Sequence, residues 1–249
     1  MNVDALHELI DRVSASVPQV RSRFDRAAAA QMERVRARGH TVSCRAGCST
    51  CCSLPVQIGL AEAMVLADAL DASQRDALAP VAARLRSLAE GGDVDAIGHR
   101  RALSVGPCPL LRDDHTCGAW RARPFACRGA FSTGDPSLCS PLAFEALRGD
   151  ALFAQFKRVD VEIHLAPTTL LRHLAALGRL SRVEADRVIV ESLGYSLQGD
   201  LVWLTWMVLQ PGFWASLVVA APRVFVERLA DHGLWQEHLM RLTTSDAGS

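Results

Sequence analysis

Cysteine is the residue type in this chain whose pattern points most directly to chemistry. The 249-residue sequence contains eight cysteines, and none of them follows Ser140. The dense first group is Cys44, Cys48, Cys51 and Cys52, and the wider second group is Cys108, Cys117, Cys127 and Cys139. Thiolates gathered at short spacings bind zinc or iron at metal–sulfur distances of about 2.3 Å. We therefore predict that all eight side chains are metal ligands.

The spacing within the first group leaves the arrangement of ions open. The steps from Cys44 to Cys48 and on to Cys51 can bring three sulfurs to one side of a turn, which Gly47 would tighten. The adjacent pair Cys51 and Cys52 indicates two ions or a multinuclear cluster, because neighbouring side chains seldom both reach one tetrahedral ion. The alternatives are two four-thiolate sites, one such site with further thiols nearby, or a pair in which one cysteine is a small buried hydrophobe.

The second group carries a more specific pattern. Cys108 begins the sequence C-P-L-L, Cys117 follows, and residues 123–128 read R-P-F-A-C-R. Together with the first group, this order resembles the YkgJ-type cysteine-cluster family, also called the CxxCxxCC zinc/iron-chelating domain, from Cys44 to Cys139. The resemblance implies that the chain chelates zinc or iron. Two features depart from the family pattern: the first spacing has three residues rather than two, and Trp120 stands where the family often has tyrosine.

Charged neighbours of the cysteines have two interpretations. Four thiolates on a divalent ion leave a net charge of about minus two, which the guanidinium groups of Arg123 and Arg128 would stabilise. The alternative is that both arginines are solvated at the surface. His115 could complete a site of three cysteines and one histidine. Because Asp113 and Asp114 precede it, we favour an exposed turn, in which both carboxylates are solvated rather than catalytic.

Zinc is slightly favoured as the cofactor over iron or an iron–sulfur cluster. Thiolate-rich sites suit zinc, and the cysteine run typical of ferredoxins does not occur.

The predicted function is metal binding with a structural or ion-handling role. The alternative is a redox or protein-modifying enzyme with an iron–sulfur or other metal centre, since flagellin lysine methylases carry a similar cysteine cluster. No G-x-G-x-x-G, P-loop, H-E-x-x-H or G-x-S-x-G motif occurs, so we assign no catalytic residue and leave enzyme activity open.

Composition limits the partners and the compartment. The formal net charge is zero and Lys157 is the only lysine; this arginine bias fits a GC-rich bacterial genome better than nucleic-acid binding. The N-terminus has neither a signal-peptide nor a transit-peptide pattern, so we predict a cytoplasmic protein whose cysteines bind metal rather than form disulfides.

Residues 201–222 carry no charge over a length that could cross a bilayer. Gln210, Pro211 and Gly212 interrupt this stretch, which favours two buried segments joined by a turn over a membrane span.

Hydrophobic periodicity predicts a mainly α fold, in which helices surround an irregular cysteine-rich metal-binding core. We predict a cysteine-cluster domain with N-terminal helices over residues 1–140. An α-helical C-terminal region over 141–249 would offer a surface to a protein partner. The predicted helices span 4–16, 19–38, 59–70, 142–160, 168–178, 181–194 and 223–241, with a further helix that has a capping box at Ser73 and Asp76 and ends at Gly91 and Gly92. Residues 107–140 are predicted to be irregular, and no strand is predicted.

Overall fold

The protein is mainly helical, with one small antiparallel sheet. The computed structural model describes residues 3–91, 101, 103–140, 149–165, 168–217 and 221–244. The helices are α1 (Val3–Ala37), α2 (Leu60–Ala69), α3 (Ala72–Glu90), α4 (Phe125–Arg128), α5 (Asp150–Arg158), α6 (Arg172–Leu193), α7 (Leu201–Val208), α8 (Pro211–Leu217) and α9 (Pro222–Asp231). The strands β1 (Gln57–Gly59), β2 (Tyr195–Asp200) and β3 (Met240–Thr244) pair in that order. The predicted mainly α fold class is confirmed.

Helix α1 is continuous where two helices were predicted. Pro18 cannot donate a backbone hydrogen bond and usually kinks or breaks a helix, yet α1 runs through it. Val13, Val17 and Val20, on either side of Pro18, are buried, and α1 packs along α6. Burial of one continuous apolar face therefore outweighs the loss at a single proline. Gly39, with a φ of +82°, follows the end of the helix as predicted.

Helix α6 is also continuous, although Gly178 was predicted to end one helix and Ser181 to begin the next. Gly178 lies where α6 contacts α4, and a Cβ at this position would be 3.0 Å from the Phe125 carbonyl oxygen. The glycine therefore permits close packing and is not a helix stop. The helix ends at Gly194, whose φ of +78° is the left-handed geometry typical of a C-cap, as predicted.

The uncharged stretch at residues 201–222 contains two short helices, α7 and α8, joined through Leu209 and Gln210, as predicted. Every residue of α7 except Trp206 is buried, and α8 buries Phe213. These side chains belong to the main hydrophobic core. Among the described residues, no helix has the length and apolar character needed to cross a membrane.

The prediction that the chain has no strand was wrong, and the strands themselves explain why. β1 has only three residues, and β2 is buried over nearly its whole length instead of alternating between buried and exposed positions. Period-two alternation, the main sequence signature of a strand, is therefore missing. β3 lies at the end of the predicted helix 223–241, of which only the first half forms, as α9.

The capping box of α3 lies two residues before the predicted one. The Asp71 carboxylate accepts from the Gln74 amide over 2.8 Å, and the Gln74 side chain accepts from the Asp71 amide over 3.1 Å. These bonds replace the predicted pair of Ser73 and Asp76. The helix ends at Gly91 as predicted.

Elements from both sides of residue 140 contribute to one sheet and one core. β1 pairs with β2, and α1 packs along α6. Residues 107–140 contain only short helical turns between irregular segments, as predicted. Gly92 and residues 142–148 of the predicted helix 142–160 lie outside the described residues, and the later part of that helix forms α5. The division into 1–140 and 141–249, and a protein partner for the C-terminal helices, stay predictions.

Candidate metal centre

The first cysteine group lies on a loop and a single helical turn between α1 and β1. Gly47, with a φ of +81°, makes the tight turn predicted from the sequence. Beside it, the Cys48 amide donates to the Arg45 carbonyl oxygen over 3.1 Å. Cys51 and Cys52 share the next turn, Thr50–Ser53, which is a 3-10 helix. The first group is therefore held by local backbone geometry.

Cys108 and Cys117 stand on the two arms of a short hairpin. An isolated bridge joins Leu111 to Cys117, and the turn between the arms contains His115 with a φ of +61°. His115 is exposed, and its Nδ1 lies 3.2 Å from the Ser49 hydroxyl. The predicted exposed turn at His115 is confirmed.

Cys127 lies in α4, a single helical turn held by a buried carboxylate. Glu62 Oε1 accepts from the Phe125 amide over 2.6 Å, and Oε2 accepts from the Gly59 amide over 3.1 Å. Burial raises the pKa of Glu62 to about 7, although both amide hydrogen bonds lower it. Sequence reasoning missed Glu62, but one charged residue in the otherwise apolar run 60–66 was a usable signal. Glu62 therefore positions the segment that carries Cys127.

Backbone contacts join the two cysteine groups. The Cys108 amide donates to the Cys52 carbonyl oxygen over 2.9 Å. The Thr50–Ser53 turn contacts the turn Pro136–Cys139, which ends in the buried thiol of Cys139. Segments that are distant in sequence therefore meet in one region of the fold.

Cys44 is tied to the loop that precedes Cys139. The Ser132 amide donates to the Cys44 sulfur over 3.2 Å, and the Cys44 thiol donates to the Ala130 carbonyl oxygen over 3.8 Å. The Ser132 hydroxyl lies 2.7 Å from the Thr169 hydroxyl. The cysteine pattern in the sequence did not indicate Ser132, because its contact with Cys44 depends on the packing of loops that are distant in sequence.

Mutual effects on pKa group the eight thiols into two sets of four that overlap, because Cys51 acts on thiols of both. Burial raises the pKa of Cys44 and raises that of Cys139 to about 11, and thiols of one set add to both shifts. This set is Cys44, Cys48, Cys51 and Cys139. Burial also raises the pKa of Cys108 to about 11, to which Cys117 adds, and raises that of Cys127, to which Cys108, Cys51 and Cys117 add. The second set is Cys52, Cys108, Cys117 and Cys127.

Cys51 and Cys52 connect the two sets. A hydrogen bond between their side chains raises the pKa of Cys51 and lowers the pKa of Cys52. Cys108, Cys127 and Cys117 all act on Cys52. Cys51 acts on Cys44 and Cys139 as well as on Cys127, so the adjacent cysteines share part of their surroundings.

Arg123 is the arginine that acts on both sets of thiols. Its charge lowers the pKa of Cys44, Cys51 and Cys127, against the larger raising effects of burial and of the Cys51–Cys52 hydrogen bond. Its guanidinium donates to the Cys127 carbonyl oxygen and lies 4.4 Å from the centre of the Trp120 ring. These contacts support the predicted role of Arg123 beside the thiols.

Arg128 has a different role from Arg123. Its Nη1 lies 2.8 Å from both carboxylate oxygens of Asp25, and its other nitrogens donate to the carbonyl oxygens of Arg121 and Arg123. Arg128 therefore holds the loop against α1. None of these contacts directs the Arg128 guanidinium group towards the thiols.

The thiols share this region without forming a closed ligand shell. All eight cysteines are free; seven are half-buried, and Cys139 is buried. Over the part of the chain that the structure describes, no three His, Cys, Asp or Glu side chains are placed to hold a metal ion. Closure of either set around an ion would therefore draw the sulfurs closer together.

Asp186, near Glu62, gives the protein a testable pH dependence. Its Oδ1 accepts from the Ala61 amide over 2.9 Å. Burial, together with the negative charge of Glu62, raises the pKa of Asp186 from 3.8 to about 7, although the hydrogen bond from Ala61 and the charge of Arg182 lower it. A carboxyl group with a higher pKa in the folded state binds its proton more tightly there. Its stabilising contribution is therefore present below about pH 4 and is lost as the pH rises to about 7.

We expect the Asp186→Asn variant to gain stability relative to the unmodified protein as the pH rises from about 4 to about 7. The gain is on the order of a few kcal/mol, because asparagine keeps an acceptor for Ala61 and cannot ionise. Chemical denaturation at a series of pH values measures the difference. The control is Asp135→Asn, since the exposed Asp135 carboxylate accepts from the Ser137 amide and has a lowered pKa. A pH-independent difference for Asp186→Asn would contradict the prediction.

Comparison with known proteins adds no assignment. No protein-family model matches the chain. No curated protein and no solved structure matches it either. The function is therefore inferred from the residues and their geometry.

Proposed function

We propose that this chain is a metal-binding protein in which two four-thiolate sites chelate zinc or iron, with a structural or ion-handling role. The observation that carries the proposal is the convergence of eight free thiols from segments distant in sequence. The first proposed site is Cys44, Cys48, Cys51 and Cys139, and the second is Cys52, Cys108, Cys117 and Cys127. Each cysteine is used once, and the sites interleave along the chain.

This division removes the difficulty posed by the adjacent cysteines. Two neighbouring side chains seldom both reach one tetrahedral ion. We assign Cys51 to the first site because its thiol acts on Cys44 and Cys139, while it also acts on Cys127 of the second site. We assign Cys52 to the second site because Cys108, Cys127 and Cys117 act on it. The peptide bond between them then sets how far apart the two ions lie.

The donor set fits zinc and iron. Cysteine thiolates bind tetrahedral zinc and iron–sulfur clusters. The half-buried thiol of Cys108 and the buried thiol of Cys139, each with its pKa raised to about 11, are costly to ionise without a cation. A bound cation stabilises the thiolate and reverses that cost. Arg123, beside both sets, would offset part of the remaining negative charge.

Zinc is the ion we propose first, with iron or an iron–sulfur cluster second. Four thiolates complete the coordination of zinc and leave no position for a substrate, which favours a structural or ion-handling role over catalysis. The proposal includes membership of the YkgJ-type cysteine-cluster family, on the strength of the motif from Cys44 to Cys139. It also includes a reducing, cytoplasmic compartment, where thiols persist.

The proposal is tested by coupling metal release to thiol modification. The purified protein is titrated with a mercurial reagent while a chelating dye follows the released ion. We expect release in proportion to modification, with about four thiols blocked per ion. Complete blocking of the thiols while the metal stays bound would show that the cysteines are not the ligands.

A further inference from the structure

A basic groove runs along α1 beside the turn Trp120–Ala122, outside the proposed metal sites. Its volume is about 630 Å³, and its lining includes Arg21, Asp25, Arg26, Trp120, Arg121 and Arg128. Four arginines against one aspartate give these residues a formal charge of plus three. A surface of this kind attracts negatively charged groups.

Three of the four arginines have no carboxylate partner within the described residues. Arg128 is paired with Asp25. Arg26 donates to the Ser22 hydroxyl over 2.9 Å, and Arg21 approaches the Ala122 carbonyl oxygen at 3.5 Å. A carboxylate partner for these three guanidinium groups would therefore have to come from outside the described residues.

Trp120 gives the groove an apolar contact point. The residue is 63% exposed, and among the exposed large hydrophobic residues of the described chain it is the one aromatic. Arg123 covers one side of the ring at 4.4 Å, which fixes the ring without covering all of it. Tryptophan and arginine are the residue types most enriched at the energetic centres of protein interfaces.

We infer that this groove binds an acidic segment of a protein partner. Carboxylates of the segment would face Arg21, Arg26 and Arg121, and one apolar side chain would rest on Trp120. Bidentate pairing between guanidinium and carboxylate groups gives such contacts both strength and orientation.

The aromatic content of the groove favours a peptide over a nucleic acid. A single-stranded nucleic acid stacks successive bases on several aromatic side chains, whereas Trp120 is the one aromatic residue of the described lining. An acidic peptide therefore fits both the charge and the aromatic content.

The test measures binding of a fluorescein-labelled peptide of glutamate and serine with one central leucine, by fluorescence anisotropy at low ionic strength. The double variant Arg26→Gln, Arg121→Gln is compared with Arg223→Gln, Arg241→Gln, whose arginines lie outside the groove lining. Both variants lose the same charge. We expect the groove variant to bind about tenfold more weakly and the control to change by less than about twofold. Trp120→Ala should also weaken binding, at unchanged charge.

Three results would overturn the inference. They are no peptide binding by the unmodified protein, equal losses in the groove and control variants, or tighter groove-dependent binding of an oligothymidine. Far-UV circular dichroism checks that each variant is folded. The groove lining contains no cysteine, so the groove variants keep all the proposed metal ligands, and the metal content of each variant separates a failure of this inference from a failure of the proposed function.

Discussion

Cys127→Ser is expected to leave the protein with one bound metal ion where the unmodified protein holds two. Serine is a poor ligand for zinc or iron in a site built for thiolates, and Cys127 belongs only to the second proposed site. We expect the free energy of unfolding to fall by more than about 4 kcal/mol, because binding at a structural metal site contributes directly to folding. Elemental analysis and chemical denaturation of the variant measure both effects.

Double variants separate two sites from one shared cluster. Cys44→Ser with Cys139→Ser removes two ligands of the first proposed site, and we expect it to spare one ion. Cys48→Ser with Cys127→Ser removes one ligand from each site, and we expect it to lose both ions. Equal metal contents in the two double variants would contradict the division into two sets.

Asp200→Ala is expected to cost about 3–5 kcal/mol of stability, as removal of one partner from a buried ion pair does. Asp200 Oδ2 accepts from Arg101 Nε over 2.7 Å, and both side chains are only 5% exposed. Its Oδ1 accepts from the amides of Val202 and Trp203 at the start of α7. Alanine would leave the Arg101 charge buried without its partner and remove the helix cap, which is itself worth about 1 kcal/mol.

One further variant separates the stability contributed by the charge of Asp200 from that contributed by its helix cap, and a second variant serves as a control. Asp200→Asn keeps an acceptor for the helix cap but removes the charge, so its loss should lie between those of the unmodified protein and Asp200→Ala. The control is Glu227→Ala, which breaks the exposed pair between Arg223 and Glu227 and should cost less than about 0.5 kcal/mol. Denaturant unfolding measures all three variants. Similar losses of stability in the Asp200 and Glu227 variants would contradict the prediction that a buried ion pair contributes more to stability than an exposed one.

Patterns set by local chemistry were predictable from the sequence. The tight turn at Gly47, the exposed turn at His115 and the interruption of the apolar stretch by Gln210 and Pro211 all occur as predicted. Each depends on the residue's own backbone preference or on close neighbours in the chain. Pro18 and Gly178 were misjudged because burial and close packing against other helices outweigh local preference.

The arrangement around the thiols depends on contacts that no local pattern contains. In sequence Cys139 ends the second group, yet in the structure three thiols of the first group, Cys44, Cys48 and Cys51, raise its pKa. Arg123 and Arg128 flank the same motif, but only Arg123 acts on the thiols, while Arg128 pairs with Asp25 on a distant helix. The sequence therefore identified the candidate ligands, and only the fold indicates how they are shared.

The most direct test of the proposed function is elemental analysis with a visible absorption spectrum, on protein purified without oxygen and without added metal. We expect about two equivalents of metal per chain. Colourless protein with zinc would identify closed zinc sites, and brown protein with iron and acid-labile sulfide would identify iron–sulfur clusters. Protein that contains no metal, and takes up neither zinc nor iron when reduced and reconstituted, would contradict the central claim.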